Sequence, residues 1–196
     1  MHLPRPATPL GESDACSPRE GIGRGASLAS ALVGDFDDLL TANRTFAETF
    51  ALTGFDGVAH AGVAIVTCMD SRIDPLRLLG LAPGDAKILR NAGARVTEEE
   101  LDALVLGVHL LDVRRILVVP HTRCAMASAT QHELRDRVGA AAGQDASAHS
   151  FPVIADQEAA LLEDVARLRA HPLIGDHVTV GGFLYDVETG LLTQLA

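Results

Sequence analysis

The stretch "TCMDSR", Thr67 to Arg72, sets a thiol, a carboxylate and a guanidinium at alternate positions, and "PHTRC", Pro120 to Cys124, sets an imidazole three residues before a second thiol. Only three cysteines occur in 196 residues, too few and too far apart for a disulfide scaffold, which leaves metal binding or catalysis as the use for Cys68 and Cys124. Two thiolates and one imidazole, from Cys68, His121 and Cys124, suit zinc, which accepts soft and borderline donors in a tetrahedron. Three donors rather than four favour a catalytic ion over a structural one, because a position is left for water. Asp70 beside that position can accept a hydrogen bond from the bound oxygen, and Arg72 can keep the carboxylate ionised and oriented. The same pair also fits a plain surface salt bridge, and the cysteines also fit a thiol enzyme with Cys68 as nucleophile and His121 as base.

These side chains can meet only if separate elements deliver them. "GVAIVTC", Gly62 to Cys68, is an apolar, β-branched run of the kind buried on both faces of a parallel sheet, and "AKILR" (Ala86 to Arg90) and "RILVVP" (Arg115 to Pro120) read as further strands. Ligands of such sheets bind beyond the carboxyl ends of the strands. If the first and third strands are neighbours, about 4.8 Å apart, Cys68, His121 and Cys124 can reach one cation. Apolar spacing predicts a helix from Leu28 to about Ala51, with Leu32, Phe36, Leu39, Leu40, Phe46 and Phe50 on one stripe. Asp74 and Pro75 start a short helix that Gly80 ends. Thr97 with Glu100, and Thr130 with Glu133, have the spacing of capping boxes. The first opens a helix with Leu101, Leu104, Val105, Val108 and Leu111 facing inward, and the second a helix to about Val138.

"GAAAGQDASAHS" reads as a small-residue loop, Glu158 to Arg169 as a helix with Leu161, Val165 and Leu168 inward, and "HVTVGGFLYDVETGLLTQL" as a strand, a turn at Glu188 to Gly190 and a last short strand. Strands alternating with helices predict an α/β fold with a mainly parallel, four- to five-stranded sheet flanked by helices. The length predicts one domain, over residues 28–196, and the Pro-, Gly- and Ser-rich residues 1–27 read as a flexible tail in which Cys16 is incidental.

Composition narrows the partners. A formal charge of −10 without a Lys/Arg cluster would repel a phosphate backbone, so no nucleic acid partner is expected. No apolar stretch is long enough to cross a bilayer and the first residues lack the core of a secretory signal, so no membrane partner and a cytoplasmic location are expected.

"CMDSR", "RNAG" (Arg90 to Gly93) and "HTRC", in this order and at these separations, resemble the β-class carbonic anhydrases, and the resemblance runs from about residue 33 to the carboxyl end, strongest in the shorter bacterial branch. It implies one zinc ion per chain held by Cys68, His121 and Cys124, an Asp70–Arg72 pair beside it, and a homodimer or larger assembly. The activity implied is reversible hydration of CO2 to bicarbonate and a proton by zinc-bound hydroxide. The resemblance leaves open hydrolysis of carbonyl sulfide or carbon disulfide at the same site. It also leaves open a weak or inactive zinc-binding form, because Ala125 stands where family members usually carry glycine and Pro120 stands before the histidine. In some members the aspartate itself closes the site as a fourth ligand. Gly93 can let backbone approach the substrate, Arg90 and Asn91 fit either support of the site or turn chemistry, and His60, His109 or His132 could relay the product proton.

Overall fold

The computed structural model describes residues 35–196, in two compact units, one ending at Thr53 and the other running from Gly54 to Ala196. The proposed tail, its boundary at residue 28, and Leu32 lie outside the described residues. In the first unit the helix α1 covers Asp37–Glu48, shorter at its carboxyl end than the apolar stripe predicts, and Phe36, Leu39, Leu40 and Phe46 all remain exposed.

The second unit is built on a five-stranded sheet in the order β2-β1-β3-β4-β5. Its strands are β1 (Val63–Cys68), β2 (Ala86–Asn91), β3 (Arg115–Val119), β4 (Thr179–Tyr185) and β5 (Leu192–Gln194). The first four run parallel and β5 pairs antiparallel with β4, so the mainly parallel α/β fold expected from the alternation of strands and helices is the one observed. Strand β1 is buried along its whole length because it lies between β2 and β3 and alternates its side chains between two cores. Ala64 and Val66 join Ile116, Val118 and Val180 on one face, under Leu101 and Leu104 and under Leu161, Val165 and Leu168. Val63 and Ile65 join Val119 and the half-buried Ile88, Leu117 and Phe183 on the other.

The helices of the first core are α2 (Glu98–Leu110) and α5 (Gln157–Ala170). Helix α5 approaches β4 closely where Gly182 leaves room, since a Cβ there would stand 3.0 Å from Val165 and 3.1 Å from Leu161. Two further helices follow β3: α3 (Ala125–Ser128), a single turn, and α4 (Gln131–Ala142). Both expected capping boxes are present, and at α4 Thr130 accepts from the Glu133 N–H at 3.2 Å while the Thr130 N–H donates to Glu133 at 2.7 Å. After β1, Asp74 accepts from the Arg77 N–H at 3.2 Å and opens a 3-10 turn (Arg77–Leu79) that Gly80 ends in the left-handed region at φ 67°.

Two expectations need correction. The segment after Val138 is not loop at its start: α4 runs on through Ala140, Ala141 and Ala142, alanine being the best helix former, and stops at Gly143 with φ 63°. Leu111 is not part of the inward stripe of α2 but its C-cap residue, at φ −129° and ψ 23°.

Candidate metal centre

The register places the donors. Thr67 pairs with Val119 across β1 and β3, and its buried hydroxyl donates to the Val119 carbonyl at 2.8 Å, so the two strands end level. Cys68 is the last residue of β1, and His121 follows β3, bridged in parallel to Tyr185, the last residue of β4. Arg123 then turns the chain through left-handed backbone at φ 56°, a conformation that costs a non-glycine residue about 1–2 kcal/mol, and brings Cys124 back beside His121. An ion pair with Glu188 at 2.9 Å helps to hold Arg123 in that turn. Cys68, His121 and Cys124 are buried, and one donor atom from each lies within 4.8 Å of the others.

The donor set fits a divalent ion. His121 Nδ1 donates to the Thr122 carbonyl at 2.8 Å, which aims Nε2 at the sulfurs, and Nε2 is the buried side-chain polar atom left without a hydrogen-bond partner among the described residues. A buried nitrogen in that state costs on the order of 1–3 kcal/mol unless something binds it. Without an ion the two thiols share one negative charge: a hydrogen bond from Cys124 holds Cys68 down at about 3, aided by the His121 side chain and the Gly93 and Asp70 backbone N–H groups. Cys124 is pushed up by that same bond to Cys68 and by burial. Burial opposes a charge on His121, but the facing Cys68 sulfur, the Thr122 carbonyl and Asp70 together outweigh it and raise the ring's pKa. A divalent cation removes this conflict, because both sulfurs can then be thiolates at once.

Asp70 stands at the edge of the cluster, its Oδ2 3.8 Å from His121 Nε2. Arg72 grips it in a two-pronged bond, Nε to Oδ1 at 2.9 Å and Nη2 to Oδ2 at 2.8 Å, and the Arg72 N–H adds a third at 2.9 Å. This grip outweighs desolvation and keeps the Asp70 carboxyl well below the usual carboxylate range. The loop beneath is bolted by Arg90, which donates to the Cys68 carbonyl at 2.9 Å and the Asp70 carbonyl at 2.7 Å.

A family model described as carbonic anhydrase matches residues 63–192. The β-carbonic anhydrase 1 of Mycobacterium tuberculosis is 32% identical over 165 residues, covering 81% of this chain and 96% of the relative. This chain belongs to the β-class carbonic anhydrases. A solved carbonic anhydrase from Streptococcus mutans superposes with a TM-score of 0.72 at 36% identity, covering 82% of this chain and 97% of that one. A carbon disulfide hydrolase from Saccharolobus solfataricus is 30% identical over 172 residues, covering 75% of this chain and 84% of the relative.

Within this family frame the remaining site residues find their places. Gly93 has φ 95°, and its N–H faces the Cys68 sulfur. Asn91 clamps the turn that carries it, exchanging hydrogen bonds of 2.7 and 3.0 Å with the Arg95 backbone. Arg90 thus ties down the loop that carries Asp70, and Asn91 closes the turn at the end of β2. Ala125 is exposed, begins α3 and is not among the residues with positive φ, so the backbone there does not require glycine. Pro120 keeps its carbonyl in use, accepting from the Tyr185 N–H at 2.9 Å.

Of the histidines, His60 precedes β1, at the end of the sheet opposite Cys68, and pairs with Asp56 at 3.0 Å. His109 reaches the Leu173 carbonyl at 2.8 Å, and His132 sits on α4 beside Asp136 at 3.4 Å. Sequence reasoning missed the Thr122 contacts with the turn after β4, and an ion pair between the half-buried Arg95 and the buried Asp164 with bonds of 2.7 and 3.0 Å. Both join residues more than sixty positions apart, and no local pattern marks them.

Proposed function

We propose that this chain hydrates CO2 reversibly to bicarbonate and a proton, with one zinc ion held by Cys68, His121 and Cys124. The observation that carries the reading is the buried trio of soft donors with an unpartnered imidazole nitrogen. When bound, zinc supplies the Lewis acidity that brings loss of a proton from water into the neutral range.

The residues around the trio supply the rest. With Arg72 holding its two oxygens, Asp70 stays ionised and in place, and a carboxylate has enough lone pairs to accept one more hydrogen bond, from the attacking oxygen. That bond orients the nucleophile and keeps its proton off the lone pair that reacts. Arg72 also keeps Asp70 from serving as a fourth ligand, which favours the open form of the site over the closed one. Ile73, Ala94 and Cys124 pack with Cys68, joined by Leu78, Met126 and Tyr185, and this apolar shell suits a linear, uncharged substrate and limits water. Backbone N–H groups of Gly93 on Cys68, and of Met126 and Ala127 on Cys124, draw charge from the sulfurs and so restore some of the acidity that two thiolates remove from the ion.

The test is zinc content together with stopped-flow CO2 hydration for the parent, Cys124→Ala and Asp70→Ala. Cys124→Ala should lose the metal, and Asp70→Ala should keep it with turnover down by about a hundredfold or more. A parent that hydrates CO2 equally well with and without zinc overturns the reading.

Carbonyl sulfide or carbon disulfide hydrolysis is a second reading, supported by the carbon disulfide hydrolase relative and by the apolar shell, and sulfide release from purified protein distinguishes it. A cytoplasmic location suits two thiols that must stay reduced, and no helix among the described residues is long and apolar enough to cross a membrane. Self-association as a homodimer or larger is supported by the uncovered apolar side chains of α1.

A further inference from the structure

An imidazole can offer either ring nitrogen to a metal, and the hydrogen bond made by the other one decides which. In this chain Nδ1 of His121 is held by the carbonyl of the very next residue, Thr122. A carbonyl so close along the chain can fix the ring only if the residue that bears it is held on both sides. The Thr122 N–H donates to the Tyr185 carbonyl at 2.9 Å, and the Gln157 side chain donates to the His121 carbonyl at 3.1 Å. The Thr122 hydroxyl then makes two bonds into the turn after β4: it accepts from the Val187 N–H at 3.1 Å and donates to Asp186 Oδ1 at 3.3 Å.

That turn is itself closed. The Asp186 carboxylate accepts from the Glu188 N–H at 2.8 Å, the Asp186 N–H donates to the Leu191 carbonyl at 2.9 Å, and the Gly190 N–H donates to the Asp186 carbonyl at 2.8 Å. Glu188 adds its ion pair to Arg123, the next residue along the histidine loop. The segment Asp186–Gly190 therefore meets His121 and Cys124 through both residues that separate them.

We propose that Thr122 is a positioning residue: its hydroxyl, seated in the Asp186–Gly190 turn, fixes the residue whose carbonyl selects the His121 tautomer and so sets the affinity of the site for its ion. The inference rests on the reading of Cys68, His121 and Cys124 as zinc ligands, and the test separates the two.

Zinc affinity is measured by chelator competition, with the full chain, for the parent, Thr122→Val, Thr122→Ser and Asp186→Asn. The His121 tautomer is read in parallel from two-bond 1H–15N spectra of the metal-free, reduced protein, and melting temperatures of the metal-free forms are recorded. Thr122→Val should weaken zinc binding by about 10–100-fold, the range for second partners of metal-ligating histidines, and should mix the tautomers. Thr122→Ser should restore both, and Asp186→Asn, which keeps an acceptor in the turn, should fall between. Zinc affinity and tautomer unchanged in Thr122→Val overturn the proposal, as does a weakening that Ser does not rescue and that only follows the melting temperature. If the parent itself binds no zinc, the reading of the ligands falls, and the tautomer spectra alone decide the role of Thr122.

Discussion

Cys68 and Cys124 carry opposite shifts although both are buried beside the same imidazole, and the difference is one proton. Cys68 has the Gly93 and Asp70 N–H groups and the His121 ring facing it, so it keeps the charge, while Cys124 donates to it. Zinc uptake near pH 7 must therefore remove the proton of Cys124 and whatever fraction His121, with its raised pKa, still holds. The expected release is between about one and two protons per ion, measurable by calorimetry in buffers of different ionisation enthalpy. The sign follows: affinity falls as the pH is lowered, because protons compete for the same donors. Release close to zero would show that no thiol is protonated in the metal-free site. At this scale the donors Cys68, His121 and Cys124 are legible in the sequence, since their types and spacing are the chemistry. The job of Gly93 is not, because a glycine announces free backbone and not the direction in which its N–H points.

Between β2 and α2 the chain makes a tight passage that the sequence shows only as "NAGARV". Gly93 and Ala94 both take left-handed backbone there, at φ 95° and 60°, and Ala94 is buried. What stabilises the passage is Asp164 of α5, which accepts from Arg95 twice and from the Val96 N–H at 3.1 Å while its side chain is 3% exposed. Removing the Asp164 carboxylate leaves the buried Val96 N–H without an acceptor and the half-buried Arg95 with Glu163 alone, at a cost of about 1–3 kcal/mol. Asp164→Ala should lower the stability in urea by about that amount, and at a temperature where it is folded it should keep its zinc. A variant as stable as the parent would mean that the pair contributes only specificity. The strands and capped helices were readable because runs of β-branched residues and a threonine three residues before a glutamate act locally. Helix α3 was not, being a single turn too short to show a hydrophobic period, and the start of the segment after Val138 reads as loop because small residues serve loops and helices alike.

Across the whole molecule, sequence alternation predicted a mainly parallel sheet, but neither the strand order nor the return of the carboxyl-terminal turn onto the histidine loop has a signature in the chain. Those depend on which surfaces meet. In α1, Leu39 and Phe46 are 61% and 59% exposed, more apolar surface than a helix of this length ordinarily leaves to water. Light scattering should give at least twice the mass of one chain, and Leu39→Lys with Phe46→Lys should lower it. A parent that stays monomeric at high concentration removes the case for self-association.

Thr67 and Val119 have one more implication. Because their bond and the five paired positions of β1 and β3 already bring distant parts of the chain together, capture of an ion closes no new loop and bears none of that entropic cost. Stripping the ion with a chelator should therefore leave the far-ultraviolet dichroism intact, and a denatured sample should regain its strands in ion-free buffer, with zinc added afterwards as the last piece.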